Sequence, residues 1–229
     1  MYRLVHHPLC PFSRTVRLVL GEKRIDADLR EEPFWDRRSE FLRLNPAGMV
    51  PVLVIEPEGA TRPRPLKLAD SAAICEYLDE THPEPPLMPR RAEERAEVRR
   101  LVAWFNEKFA REVSMPLLEE RLFKKIMSAG HPDSRRVQNA LRRRRLHMAY
   151  MEKLLERRRW LATERLTLAD FAAAAHLSCL DYLGLVDWKG SETVRTWYAT
   201  MKSRPPFRSL LADTVPGFIP PPHYTDLDF

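Results

Sequence analysis

Long apolar runs and an even set of cysteines are missing from this sequence of 229 residues, and we expect no export leader. No stretch approaches the ~18 apolar residues that a membrane-spanning helix requires. Residues 1–5 have a strand-like pattern in place of the apolar centre of a signal peptide. Three cysteines, an odd number for a chain of this length, do not make a disulfide framework. We therefore expect a cytoplasmic protein without membrane insertion.

Nucleic-acid-binding motifs are missing as well, although the charge is basic. The formal net charge is +6, and the excess arginine lies in three runs, at 135–136, 142–145 and 157–159. A basic surface can attract nucleic acid or another anionic partner. No aromatic residues alternate with these arginines, which favours a solvated helix face over nucleic-acid binding. We expect no nucleic-acid partner.

The first 82 residues alternate strand and helix patterns. β-type runs at 2–5, 25–29, 50–55 and 66–68 are separated by turn clusters or by helical spacing. Helices are predicted over residues 13–23, 34–44 and 71–78. This order predicts a four-stranded mixed sheet with helices packed on it.

The composition changes at residues 83–90, where four prolines predict a stiff linker. Helical patterns dominate residues 91–213, with a last helix over 193–212, and residues 214–229 form a separate tail. Thr167 and Asp170 have the spacing of a capping box, which opens an alanine-rich helix small enough in side chain to lie inside a bundle.

Cys10 begins the motif Cys-Pro-Phe-Ser, at a turn between a strand and a helix. The dipole and free N–H groups of a helix N-terminus can stabilise a thiolate there, and His6, His7 and Arg14 would add positive charge if close. Such a thiolate can exchange with disulfides. Ser13 is the alternative hydroxyl donor at the same turn. Equally, Cys10 could be a small turn residue without chemistry.

Four features occur in order: the turn at 10–13, the segment 45–53 around Pro51, Asp70-Ser71 at a helix start, and the capping box at 167–170. Together they resemble the glutathione transferase family over nearly the whole chain, and residues 70–80 look most like omega-type members. The resemblance implies a thioredoxin-like α/β domain followed by an all-α helical bundle, assembled as a homodimer.

The resemblance also implies a glutathione site. Pro51 would be a cis-proline that presents the Val50 backbone to the tripeptide, and Ser71 would hold its γ-glutamyl carboxylate with its hydroxyl and backbone N–H. Asp70, beside Ser71, belongs to the same implied site. Each feature has a structural alternative, since the same proline shapes the fold and Ser71 could simply cap its helix. Met49 stands where many glutathione-binding members have lysine, which weakens the site.

The tail is unusual in composition. Pro220, Pro221 and Pro222 enforce an extended path, so the segment cannot continue the bundle. Beyond them, aromatic and apolar residues alternate with acids, at Tyr224, Asp226, Leu227, Asp228 and Phe229. Such a segment suits docking to a partner or packing as a strap across its own domains.

This tail, on a basic helical domain containing Glu119, resembles that of a family member that acts in bacterial cell division. The resemblance implies a non-catalytic dimeric adaptor that binds filaments of FtsZ or another division protein, promotes constriction and needs no cofactor. The implied partner contacts are Trp35, Glu119, Tyr224, Asp226, Asp228 and Phe229. The alternative is a glutathione-dependent thiol transferase, or a glutathione S-transferase, that uses Cys10.

Overall fold

The computed structural model describes residues 1–57 and 64–227. Their contacts divide the chain into two compact units. The first consists of Met1–Pro86 together with Pro205–Asp213, and the second of Leu87–Arg204 together with the chain from Thr214 onward. The predicted domain bounds differ from these units in three respects. Residues 205–213 belong with the first unit, the predicted linker is divided between the units after Pro86, and the predicted tail belongs with the second unit.

The first unit has the predicted α/β order. Its elements are β1 (Tyr2–His6), α1 (Pro11–Glu22), β2 (Ala27–Glu31), a 3-10 turn (Phe34–Asp36), α2 (Ser39–Leu44), β3 (Val52–Ile55), β4 (Leu66–Ala69) and α3 (Ser71–Thr81). The sheet order is β2-β1-β3-β4, with β1 parallel to β2 and the other pairs antiparallel. The predicted four-stranded mixed sheet is confirmed, whereas the single helix predicted over 34–44 is wrong, since a left-handed Arg37 separates the 3-10 turn from α2.

The second unit is helical. Its helices are α4 (Ala92–Ala103), α5 (Ser134–Leu155), α6 (Leu168–Tyr182) and α7 (Glu192–Lys202). Helical turns continue from α4 to Ile126, with wider π-type turns over Trp104–Ser114 and Glu119–Phe123. The fold is therefore a thioredoxin-like α/β domain and an all-α domain, as the sequence predicts.

The capping box at Thr167 is confirmed. Asp170 accepts hydrogen bonds from the Thr167 N–H, at 3.0 Å, and from the Leu161 N–H, at 2.9 Å. The indole N–H of Trp197 donates to the same carboxylate, at 3.1 Å. Every residue of α6 is buried, so this alanine-rich helix lies at the centre of the helical unit.

The helix predicted over 193–212 is wrong. It ends at Lys202, and after a 3-10 turn at Pro205–Phe207 a short helix covers Arg208–Leu211. Proline lacks the N–H that a helix interior requires, so the two adjacent prolines interrupt it. The Asp213 carboxylate then lies 3.1 Å from Arg14 and 2.8 Å from Arg17, both buried on α1. These ion pairs attach the segment to the first unit.

Among the described residues, we find no helix both long enough and apolar enough to cross a membrane. The same residues contain no group of three or more histidine, cysteine or acidic side chains placed to hold a metal ion.

Candidate functional site

Cys10 occupies the N-cap position of α1, as its sequence context predicts. Its side chain is only 5% exposed and belongs to an apolar cluster with Val5, Phe41 and Val52. Its Sγ lies 3.8 Å from the Val50 carbonyl oxygen. Burial raises the pKa of the Cys10 thiol, and hydrogen bonds with Ser13 offset only part of that effect. The thiol form is therefore favoured at this helix end, against the expectation of a stabilised thiolate.

Of the three residues expected to add positive charge near Cys10, Arg14 does so, but its charge lowers the pKa of Cys10 by less than burial raises it. Burial, reinforced by a neighbouring arginine in each case, lowers the pKa of His6 and of His7 to about 4, so both imidazoles are neutral at pH 7. Arg14 is fully buried, and its charge is compensated by Asp213. Ser13 is also fully buried, and its hydroxyl lies 3.5 Å from the His7 N–H, a long hydrogen bond.

The Val50–Pro51 peptide bond is cis, as the family resemblance predicts. Val50 is 3% exposed, and its carbonyl oxygen accepts the contact from the Cys10 thiol. The neighbouring Met49 side chain is exposed, and its backbone carbonyl accepts a hydrogen bond from the Asn45 side chain at 2.8 Å. The segment thus places Val50 beside Cys10 and directs Met49 outward.

The alternative role of Ser71, as the cap of its helix, is wrong. Asp70, not Ser71, is the N-cap of α3, with φ of 75°, and its carboxylate accepts the N–H groups of Ala72 and Ala73 at 2.8 and 3.1 Å. Ser71 is the first helical residue and is buried.

The residues present fit glutathione only in part. The Asp70 carboxylate already uses two N–H groups at the end of α3 where a γ-glutamyl carboxylate would bind, and it places a negative charge there. Met49 offers no charged donor to a second carboxylate. The cis peptide bond beside Val50 and the buried Ser71 are the two elements that remain compatible with the tripeptide.

Trp35 lies at the edge of the first unit, in a small aromatic group. Its ring centroid is 5.3 Å from that of His7 and 5.2 Å from that of Phe34, both in edge-to-face geometry. The side chain remains partly exposed. Trp35 thus packs against two rings and keeps part of its surface accessible to another molecule.

Glu119 lies on the long helical stretch of the second unit and is 47% exposed, paired with Arg136. The adjacent Glu120 is buried and accepts hydrogen bonds from Lys124, Arg136 and the Asp133 N–H. Glu120 therefore organises the helix ends, whereas Glu119 is available at the surface.

The tail packs on the second unit. Tyr224 is fully buried, with its ring 5.2 Å from that of Tyr182 in edge-to-face geometry. The Tyr182 hydroxyl accepts a hydrogen bond from the Val215 N–H at 3.0 Å, and Lys125 donates to the Gly217 carbonyl at 2.6 Å. The prediction of Tyr224 as a partner contact is wrong, because its ring is enclosed by its own chain.

Lys202 and Asp181 anchor the end of this strap (residues 215–227). The buried Lys202 ammonium donates to the carbonyl groups of His223, at 2.8 Å, and Asp226, at 2.5 Å. Asp181, also buried, lies 3.0 Å from the His223 ring nitrogen. Sequence reasoning missed both anchors, since nothing local to either residue indicates its tail partner. Asp226 is exposed, while Asp228 and Phe229 lie outside the described residues.

Comparison with known families matches residues 4–86 to the N-terminal domain of glutathione S-transferase and residues 115–205 to its C-terminal domain. FtsZ-localized protein A of Caulobacter vibrioides is 48% identical over 228 residues, which cover 99% of this chain and 98% of that protein. The chain belongs to the glutathione S-transferase family.

Solved structures of the family have the same fold as this chain. The chain matches the FzlA structure from C. crescentus with a TM-score of 0.95 and 47% identity, covering 100% of this chain and 99% of that one. A glutathione S-transferase from Rhodospirillum rubrum gives a TM-score of 0.94 and 49% identity, with both chains covered in full. The likeness includes the strap, because both matches cover this whole chain.

Proposed function

We propose that this glutathione S-transferase homologue is a homodimeric adaptor in bacterial cell division, which binds FtsZ filaments and promotes constriction. The observation that carries the proposal is the likeness to FtsZ-localized protein A, which extends over nearly the full length of both proteins. The raised pKa of Cys10 also favours a role that does not depend on a thiolate.

Three of the proposed partner contacts have accessible surface. Trp35 is partly exposed in the first unit, and in the second unit the Glu119 side chain is 47% exposed and Asp226 is exposed. Trp35 supplies an amphipathic ring of the kind enriched at binding hot spots. The backbone carbonyl of Asp226 accepts a hydrogen bond from Lys202, so the strap fixes the backbone position from which this exposed side chain extends.

In a co-sedimentation assay, the protein is expected to pellet with GTP-polymerised FtsZ and to remain in the supernatant without it. Glu119→Lys should reduce the pelleted fraction several-fold, because it reverses an exposed charge while Arg136 keeps its pair with Glu120. Glu156→Lys, an equal charge change at another exposed position, is the matched control and should pellet like the unmodified protein.

Failure of the unmodified protein to pellet with FtsZ polymer would refute the adaptor proposal. Equal losses in both variants would instead assign the effect to net charge and remove Glu119 from the contact. Circular dichroism of each variant at the assay temperature separates loss of binding from loss of fold.

A glutathione-dependent thiol transferase is the second candidate, favoured by the cis Val50–Pro51 bond and by Ser71 at the start of α3. In that function, the Cys10 thiolate would attack the glutathionyl sulfur of a glutathione mixed-disulfide substrate, forming a Cys10–glutathione disulfide and releasing the substrate thiolate. Ser13 is the alternative hydroxyl at the same turn. Glutathione binds saturably in a calorimetric titration if this candidate holds, and gives no heat of binding if the site is vestigial.

The thiol of Cys10 is expected to react roughly tenfold or more slowly with a chromogenic disulfide at neutral pH than free glutathione does, because it is buried and its pKa is raised. Comparing the unmodified protein with Cys10→Ser isolates this thiol from Cys75 and Cys179, which are also buried. A fast phase in the reaction with the disulfide that is absent from Cys10→Ser would favour the thiol transferase.

A further inference from the structure

An open groove of about 670 Å³ runs along α5 in the helical unit, against the loop that follows α6. Its volume is within the ~300–1,000 Å³ typical of ligand clefts. Four arginines and one acid, Asp187, are among its lining residues: Arg135, Arg142, Arg144 and Arg145. Spacings of seven and three residues place Arg135, Arg142 and Arg145 on one face of α5. We call this feature the arginine groove.

Two arginines elsewhere in the helical unit share one carboxylate. Arg100 lies 2.8 Å and Arg158 lies 2.7 Å from the carboxylate of Glu97. In contrast, no carboxylate of residues 1–57 or 64–227 lies within 4.0 Å of the guanidinium of Arg135, Arg142 or Arg145. The arginine groove therefore concentrates positive charge that the described part of the chain does not neutralise by ion pairing.

The wall of the arginine groove is held in place by Arg144. This side chain is only 7% exposed, and its guanidinium donates a hydrogen bond to the Leu185 carbonyl. The contact ties the loop at 184–187 to α5. A preformed groove loses less conformational entropy on binding than a mobile one.

We propose that the arginine groove binds an acidic peptide segment of a partner protein, in which carboxylates alternate with apolar side chains. Guanidinium groups pair with carboxylates through two parallel hydrogen bonds. Leu141, Leu185 and Val186 supply apolar lining between the charges. No aromatic side chain is among the lining residues the structure gives this groove, so nucleic-acid bases find no stacking surface there. The partner need not be FtsZ, so this proposal is independent of the adaptor function.

The test uses a fluorescein-labelled octapeptide, Asp-Leu-Asp-Ala-Asp-Leu-Asp-Gly, with the full-length protein and fluorescence anisotropy at low ionic strength. The peptide is expected to bind, and the version with asparagine in place of each aspartate is not. The double variant Arg142→Gln, Arg145→Gln should weaken binding about tenfold, since two charge-assisted contacts are removed. Added salt should weaken binding to the unmodified protein.

The matched control is Arg143→Gln, Arg157→Gln, which removes the same charge from exposed arginines that do not line the arginine groove. This control is expected to bind the peptide like the unmodified protein. Equal weakening by both double variants would overturn the proposal, because attraction would then follow net charge alone. Tighter binding of a labelled oligothymidylate of equal charge, lost on changing Arg142 and Arg145, would also overturn it in favour of nucleic acid.

Discussion

Replacing Tyr224 with alanine is expected to lower the free energy of unfolding by about 3–5 kcal/mol. The ring is fully buried against Tyr182, so its removal leaves a cavity and also removes an edge-to-face aromatic contact. The measurement is urea denaturation followed by circular dichroism. Tyr224→Phe keeps the ring and is the matched control, with an expected loss of about 1 kcal/mol.

An unchanged unfolding free energy in Tyr224→Ala would contradict the strap and return the tail to the role of a free docking segment. The result also decides how a truncation of the tail is interpreted, because a tail that stabilises the fold cannot be removed without loss of stability. Removing the chain from Asp226 onward deletes a carbonyl acceptor of the buried Lys202, so it is expected to destabilise the helical unit as well as to remove tail acids. Point substitution of the exposed Asp226 side chain separates the two effects.

Acidification is expected to destabilise the protein strongly as the pH falls from about 6.5 to about 4. Burial lowers the pKa of His6 and His7 to about 4 and that of His176 to about 3, from an ordinary value of 6.5. In that window the unfolded chain binds protons that the folded chain does not, so stability rises with pH and is lost on acidification.

Asp170 acts in the opposite direction. Burial raises its pKa from 3.8 to about 6, so the folded state binds the extra proton between those values and gains stability as the pH falls. Three histidines outweigh this one carboxyl, and we expect a net loss of roughly 4 kcal/mol or more.

Unfolding in urea at a series of pH values measures this dependence. His7→Asn removes one titrating group and should flatten the slope between pH 6.5 and 4, while its amide can still accept the Leu9 N–H that His7 accepts at 3.2 Å. A stability that does not change across this window would show that the histidines are accessible to protons in the folded state.

Local signals were enough for much of the fold. The cis bond at Pro51 was implied by the family resemblance. Local patterns predicted other features, since β-type runs predicted the four strands and the Thr167 and Asp170 spacing predicted the capping box. Each signal depends on residues within a few positions of one another, where hydrogen bonding and backbone sterics act directly. Ordered along the chain, they also indicated the glutathione S-transferase family.

The properties of the candidate site depended on residues distant in sequence. The Cys10 environment includes Phe41 and Val50, the charge of Arg14 is balanced by Asp213, and Lys202 holds the strap. Burial and ion pairing are set by which segments pack together, and no local pattern encodes that packing. The sequence alone thus determined the family and the chemical groups available. Only the tertiary structure decided that the Cys10 thiol is buried, that Tyr224 is enclosed, and that the arginines of α5 line a groove.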